Sequence, residues 1–119
     1  MNKDLDKRIF DFTIKVILFL RKLPNDVELQ NIKYQLIKAV TSVGTNYEEA
    51  QAASSRADFK NKLNIALKEI REANYWIKII AAVADVHGDE IKEIQTEAKE
   101  LMLILGSITS KVSKSNKNK

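Results

Sequence analysis

The chain has 119 residues, 45% of them hydrophobic and 30% charged, which is one domain's length and enough apolar material for a buried core, and which excludes a disordered linker. With no Cys, one His, one Pro and three Gly, it cannot be a disulfide scaffold, a thiolate zinc site, a thiol enzyme or a Pro-rich or collagen-like chain. The formal charge of +4 sits wholly in residues 111–119, where Lys111, Lys114, Lys117 and Lys119 meet no acid, so residues 1–110 are neutral with 16 bases and 16 acids.

Within that neutral body, residues 1–40 carry eight bases against five acids, whereas residues 81–110 carry two bases against six acids. The last helix therefore reads as acidic and the first two as mildly basic. The charged start and the apolar stretch Ile14–Leu20, interrupted by Lys15 and followed by Arg21 and Lys22, predict neither a secretory signal nor a membrane span. A cytoplasmic protein is expected.

Four segments repeat apolar residues at steps of three and four, the spacing that keeps one helix face toward a core. The first, from about Asp4 to Lys22, has the seam Leu5, Ile9, Phe12, Val16, Phe19 and Leu23, and Pro24 stops it by disfavouring helical geometry in the preceding residue. Asn25 is the expected N-cap of the second helix, with Glu28 in capping-box position.

The second helix, from about Asp26 to Ala53, aligns Leu29, Ile32, Leu36, Val40, Val43, Tyr47 and Ala50. Gly44 lies inside it at a cost of about 1 kcal/mol relative to alanine, which predicts either a bend there or, as the preferred reading, the close approach of a neighbouring backbone. Ser54 and Ser55 make the next break, and Ser55 with Asp58 forms a second capping pair.

Helix three, from about Arg56 to Val86, carries Phe59, Leu63, Ala66, Ile70, Ala73, Ile77, Ile80 and Ala84 on one seam. His87-Gly88-Asp89 is the expected junction, with Gly88 taking the left-handed turn and Asp89 capping the next helix. Helix four continues from Glu90 through Ile91, Ile94, Ala98, Leu101, Leu105 and Ile108, with Val112 next in the same register. Beyond Ser110 the pattern thins into Ser, Asn and Lys, so a bundle domain over residues 1–110 and a flexible Lys-rich tail over residues 111–119 are expected. Short links between successive helices favour an all-α, up-down-up-down antiparallel four-helix bundle.

Two helices hold more apolar residues than one stripe needs: Phe10, Ile14, Ile17 and Leu18 on the first, and Leu67, Tyr75, Trp76, Ile79, Val83 and Val86 on the third. Apolar surface left in water forgoes ~25 cal/mol per Å², and large uncovered patches mark partner surfaces. Self-association through Phe10, Ile14, Ile17, Tyr75, Trp76, Ile79 and Val83 is expected, with Tyr75 and Trp76 as anchors.

The polar residues Gln35, Ser42, Asn46 and Glu49 stack along one flank of helix two, and Lys62, Glu69 and Glu72 do so on helix three. They form either ordinary solvated positions or a hydrogen-bonded strip fixing register between helices or subunits. The carboxylate pairs could suggest a di-metal bundle, but that site needs two Glu-x-x-His motifs, and His87 is preceded at that spacing by Ala84. No phosphate loop or nucleophile-plus-base arrangement is visible, so neither an enzyme nor a cofactor is expected. Contact with RNA or another nucleic acid would be nonspecific and electrostatic, through the four tail lysines and Lys15, Arg21, Lys22, Lys33 and Lys38.

The run Gln35 to Ala50, with its Ser42-Val43-Gly44-Thr45-Asn46-Tyr47-Glu48-Glu49 core, is followed by Arg56 to Glu69 and then by Glu72, Tyr75 and Trp76. Over about residues 8–86 this resembles the four-helix bundle family first noticed in proteins encoded within 23S rRNA intervening sequences. The resemblance implies a bacterial cytoplasmic bundle, commonly a homopentameric ring around a channel, without established enzymatic activity. It also implies kinship with the accessory variability proteins of diversity-generating retroelements, which engage a protein partner and nucleic acid.

Overall fold

The computed structural model describes residues 3–117, with side chains described from Asp4 to Lys114. Each apolar seam becomes one helix: α1 (Lys3–Leu20), α2 (Val27–Gln51), α3 (Arg56–Val83) and α4 (Asp89–Lys117). Each helix packs against the next, and α4 closes back on α1, while the backbones of the diagonal pairs α1/α3 and α2/α4 stay apart among the described residues. The helices thus stand at the corners of a square in chain order. The bundle measures 51 × 23 × 22 Å, its long axis set by the length of α2 to α4 at ~1.5 Å per residue.

The core is the set of seams. Leu5, Ile9, Phe12, Val16 and Phe19 of α1 are buried with Leu36, Val40, Val43 and Tyr47 of α2. Leu63, Ala66, Ile70, Ala73, Ile77 and Ile80 of α3, and Ile91, Ile94, Ala98, Leu101 and Leu105 of α4, complete it. Two polar side chains pin neighbouring helices together. The Thr13 hydroxyl donates to the Ile9 carbonyl at 2.8 Å and also approaches the Val40 carbonyl of α2, and the Asn74 amide of α3 donates to the Ala98 carbonyl of α4 at 3.0 Å.

The helix ends depart from the sequence pattern in four places. α1 ends at Leu20, and the chain tightens through Leu23, where the Lys22 and Leu23 amides donate to the Phe19 and Leu20 carbonyls in the shorter three-residue pattern. Asp26, not Asn25, occupies the N-cap of α2, and its side chain makes no capping bond. The Gln30 side-chain amide instead donates to the Asn25 carbonyl at 2.9 Å, so the expected Asn25–Glu28 box does not form. At α3 the Ser55 hydroxyl does accept from the Asp58 amide at 3.0 Å, while the Asp58 carboxylate accepts from the Ser54 amide.

At the third junction Asp85, not Gly88, takes the left-handed conformation, with φ of 53°, directly after the last residue capping α3. The Val86 amide then donates back to the Ala81 carbonyl at 3.1 Å and the Val86 side chain packs on the core. This is the six-to-one bond of a Schellman ending, and it fixes the left-handed residue one position before the apolar Val86 rather than at the glycine. Finally, α4 does not fray at Ser110: it runs to Lys117, because Ile108 and Val112 continue its seam onto the core. The helix thus continues past the expected boundary at residue 110 as far as residue 117; Lys119 lies outside the described residues.

Around Gly44 the nearest atom to an added Cβ is the side-chain Cγ2 of Ile9 at 3.5 Å, an ordinary van der Waals contact. The expected close approach of a backbone is thus not what holds glycine there, and α2 runs through it unbroken. Gly44→Ala should raise the unfolding free energy by up to about 1 kcal/mol, the helix-propensity difference, in chemical denaturation. Asp85→Gly should add about 0.5–1 kcal/mol in the same measurement by relieving the left-handed strain of an L residue.

Candidate interaction surfaces

A square bundle presents four sides, each made by two neighbouring helices, and the side chains differ sharply between them. On the α1/α4 side Arg8 and Lys15 of α1 and Lys22, just past its end, recur every seven residues. Arg8 binds Glu97 and Glu100, Lys15 binds Glu93, and Lys22 binds Glu90 at 2.9 Å. The antiparallel helices run this ladder along most of α1. Its strongest rung raises the Arg8 guanidinium above its ordinary value, chiefly through the Glu97 hydrogen bonds.

The α2/α3 side carries the polar strip. Glu49 pairs with Lys62 across the two helices at 2.9 Å, which holds the Lys62 ammonium above its usual value. The Asn46 side-chain amide turns back to the Ser42 carbonyl at 2.9 Å and hydroxyl at 3.0 Å. Glu69 is half-buried; burial first, then the charge and hydrogen bond of Glu72, push its carboxyl above the usual carboxylate range, against the pull of Lys68 and Lys38. The Glu49–Lys62 pair and the nearness of Lys38 to Glu69 set the antiparallel register of the two helices, and Gln35 is half-buried further back along α2. Of the strip, Glu49 and Lys62 join the two helices of one chain, Asn46 and Ser42 bond within α2, and Glu69 and Glu72 are adjacent on α3.

The expected nucleic-acid contacts do not form one surface. Lys15 and Lys22 are engaged by α4 carboxylates, and the Lys33 ammonium donates to the Leu23 carbonyl at 3.0 Å, closing the end of α1. Arg21 and Lys38 are exposed, Lys38 beside Glu69. Lys111 and Lys114 are exposed along the last turns of α4. Lys117 ends that helix with its side chain outside the described ones, and Lys119 lies outside the described residues. Among the described residues no cluster of His, Cys, Asp or Glu is arranged to hold a metal ion, and His87 sits exposed at the α3–α4 turn, 2.6 Å from Asp85.

The remaining two sides are apolar and lie opposite each other. Between α1 and α2 a groove of about 500 Å³ is floored by Ile9, Thr13, Gly44 and Tyr47 and overhung by Phe10 and Ile14, with Asp6 and Glu48 at its rim. Phe10, Ile14 and Leu18 are 64%, 41% and 46% exposed and form one stripe along α1. Between α3 and α4 a second, wider groove of about 710 Å³ is lined by Asn74, Tyr75, Lys78, Lys99, Met102 and Leu103, with Tyr75 58% and Leu103 70% exposed.

Of the expected interface residues, Phe10, Ile14, Tyr75 and Val83 are exposed, but Trp76 and Ile79 pack against the protein's own core and Ile17 is half-buried. Trp76 meets Tyr75 edge to face at 5.6 Å, and its indole N–H is buried without an acceptor among the described residues. The anchoring pair is therefore split between an inner tryptophan and an outer tyrosine. Sequence reading missed Leu103, whose alternation off the α4 seam was the available signal, and the lysines beside it.

A family model described as 23S rRNA-intervening sequence protein matches residues 2–107. The chain belongs to this family. The resemblance carried by Gln35–Ala50 and Arg56–Glu69 is thereby borne out. Among solved structures, the crystal structure of a protein with unknown function from the S23 ribosomal protein family of Bacteroides thetaiotaomicron is similar to it at 31% identity and a TM-score of 0.79, over 88% of this chain and 97% of that one. No curated protein matches the chain. In this member of the 23S rRNA-intervening sequence family, the segment quoted for the resemblance builds the α2/α3 strip and its core backing.

The raised carboxyl of Glu69 has a definite sign in stability. The folded chain holds that proton more tightly than the unfolded chain, so its cost is absent below the ordinary glutamate range of about 4.3 and grows as pH rises through the folded value. Glu69→Gln should raise the melting temperature at pH 7 and change it little at pH 4; an equal shift at both would assign the effect to packing instead.

Proposed function

We propose that this protein is a non-enzymatic, self-associating helical bundle of the cytoplasm that acts as a scaffold or adaptor, assembled as a homo-oligomer and, as the family resemblance suggests, a pentameric ring. The observation that carries this reading is the α1 stripe of Phe10, Ile14 and Leu18, three large apolar side chains left in water beside an apolar groove. A second copy covering them recovers ~25 cal/mol for each Å² removed from solvent. No helix among the described residues is long and apolar enough to cross a membrane, so the stripe is not part of a span.

Nucleic-acid contact is the second reading, and the exposed Lys111 and Lys114 at the end of α4 favour it over the engaged bases of α1. Such contact follows phosphate charge and weakens steeply with salt. The alternative is a purely structural oligomer that binds protein and no nucleic acid.

Light scattering on the full chain should give the mass of several copies, five for a ring; a single 13.6 kDa chain across the micromolar range would overturn the proposal. Mobility of a labelled RNA at low salt, with the full chain and with residues 111–119 removed, separates the two readings. A shift that depends on those residues supports nucleic-acid contact, and no shift leaves the structural oligomer.

A further inference from the structure

The two apolar sides are opposite each other in the square of helices, and they also differ in charge. The α1/α2 groove has carboxylates, Asp6 and Glu48, at its rim. On the α3/α4 side Lys78 and Lys99 line the groove and Lys92 lies further along it, and none of the three is in an ion pair among the described residues. Each side also combines a hollow with a projecting side chain: Phe10 beside one, Tyr75 and Leu103 beside the other.

We propose that the occupant of the α1/α2 groove is the α3/α4 side of a second copy of this chain, joined head to tail. This rests on the self-association argued above and names its surfaces. Pairing either side with itself would place carboxylates against carboxylates or lysines against lysines, which is costly where water is excluded. Pairing unlike sides sets Lys78 and Lys99 against Asp6 and Glu48 and gives Phe10, Tyr75 and Leu103 a hollow to enter. Because such a contact uses a different surface on each copy, every dimer keeps one free side of each kind, and growth continues into a ring where the rotation between copies closes and into an open filament where it does not.

The test is complementation between two surface variants of the full chain, each checked for unchanged helix content by circular dichroism. Phe10→Asp with Ile14→Asp disables one side; Tyr75→Asp with Leu103→Asp disables the other. Each alone should fall to a single 13.6 kDa chain in light scattering, and an equimolar mixture should return to twice that mass, because one variant keeps the side its partner lacks. A mixture that stays monomeric overturns the inference, as does one variant remaining dimeric alone, which would mean that a side pairs with itself. In both cases an oligomeric wild type leaves self-association standing, whereas a monomeric wild type removes it. Should either apolar pair misfold, Lys78→Glu with Lys99→Glu should lower the mass at low salt and regain it on mixing with Glu48→Lys; a mass unmoved by the charge reversal would equally overturn the pairing.

Discussion

Four helices that each have one apolar stripe can bury all four only by turning them to a common axis, and this single requirement fixes what every other residue can do. Small residues make the arrangement tight. Ala39, Ala66, Ala73 and Ala98 are almost wholly buried, and they let the helices approach closely around Leu36, Leu63, Ile70 and Leu101. Once the stripes are committed inward, the flanks of each helix are left to meet the flanks of its two neighbours. The four sides of the bundle are then free to carry different chemistry, and they do.

Charge shows how much of that chemistry a sum conceals. The segment of residues 81–110 is acidic in total, yet α4 separates its charges by side. Glu90, Glu93, Glu97 and Glu100 face α1, where they neutralise its heptad-spaced bases, and Lys92 and Lys99 lie on the α3 flank. A mildly basic first helix beside an acidic last one is thus an internal ladder rather than a surface aimed at phosphate. Exposed rungs of this kind contribute modestly to stability, a few tenths of a kcal/mol to about 1 kcal/mol each, but they align α1 against α4 with a definite register.

The core was legible residue by residue because burial is periodic and periodicity survives in a single sequence. Leu5 to Phe19, Leu29 to Ala50, Leu63 to Ile80 and Ile91 to Leu105 all lie where their spacing puts them. The ends were less so, since they depend on which backbone groups find partners. Ser55 and Asp58 could be read from local chemistry alone. Asp85 could not, because its left-handed turn is selected by the bond from Val86 back to Ala81 and by the burial of Val86, not by the glycine three residues on. The surplus apolar residues divided for a similar reason. Trp76 and Ile79 lie close enough to the α3 seam for a wide core to absorb them, whereas Phe10 and Tyr75 point past it. Single-sequence periodicity gives the stripe's direction but not its width, which the neighbouring helix decides.

If the α1/α2 and α3/α4 sides face other copies, the ladder side and the α2/α3 strip are the two that remain, one turned toward the axis of a closed ring and one outward. Neither suits a phosphate backbone: the bases of the ladder are held by Glu90, Glu93 and Glu97, and the strip sets Glu69 and Glu72 beside Lys38 and Lys68, with Lys62 held by Glu49. Any such contact then belongs at an end of the ring, where the last turns of α4 carry Lys111 and Lys114 beyond the ladder and leave them exposed. On the proposed pairing, assembly and charge would divide the molecule between them: the broad sides would hold copies together, and the exposed basic end of α4 would be offered in several copies to a partner, where many weak contacts act as one.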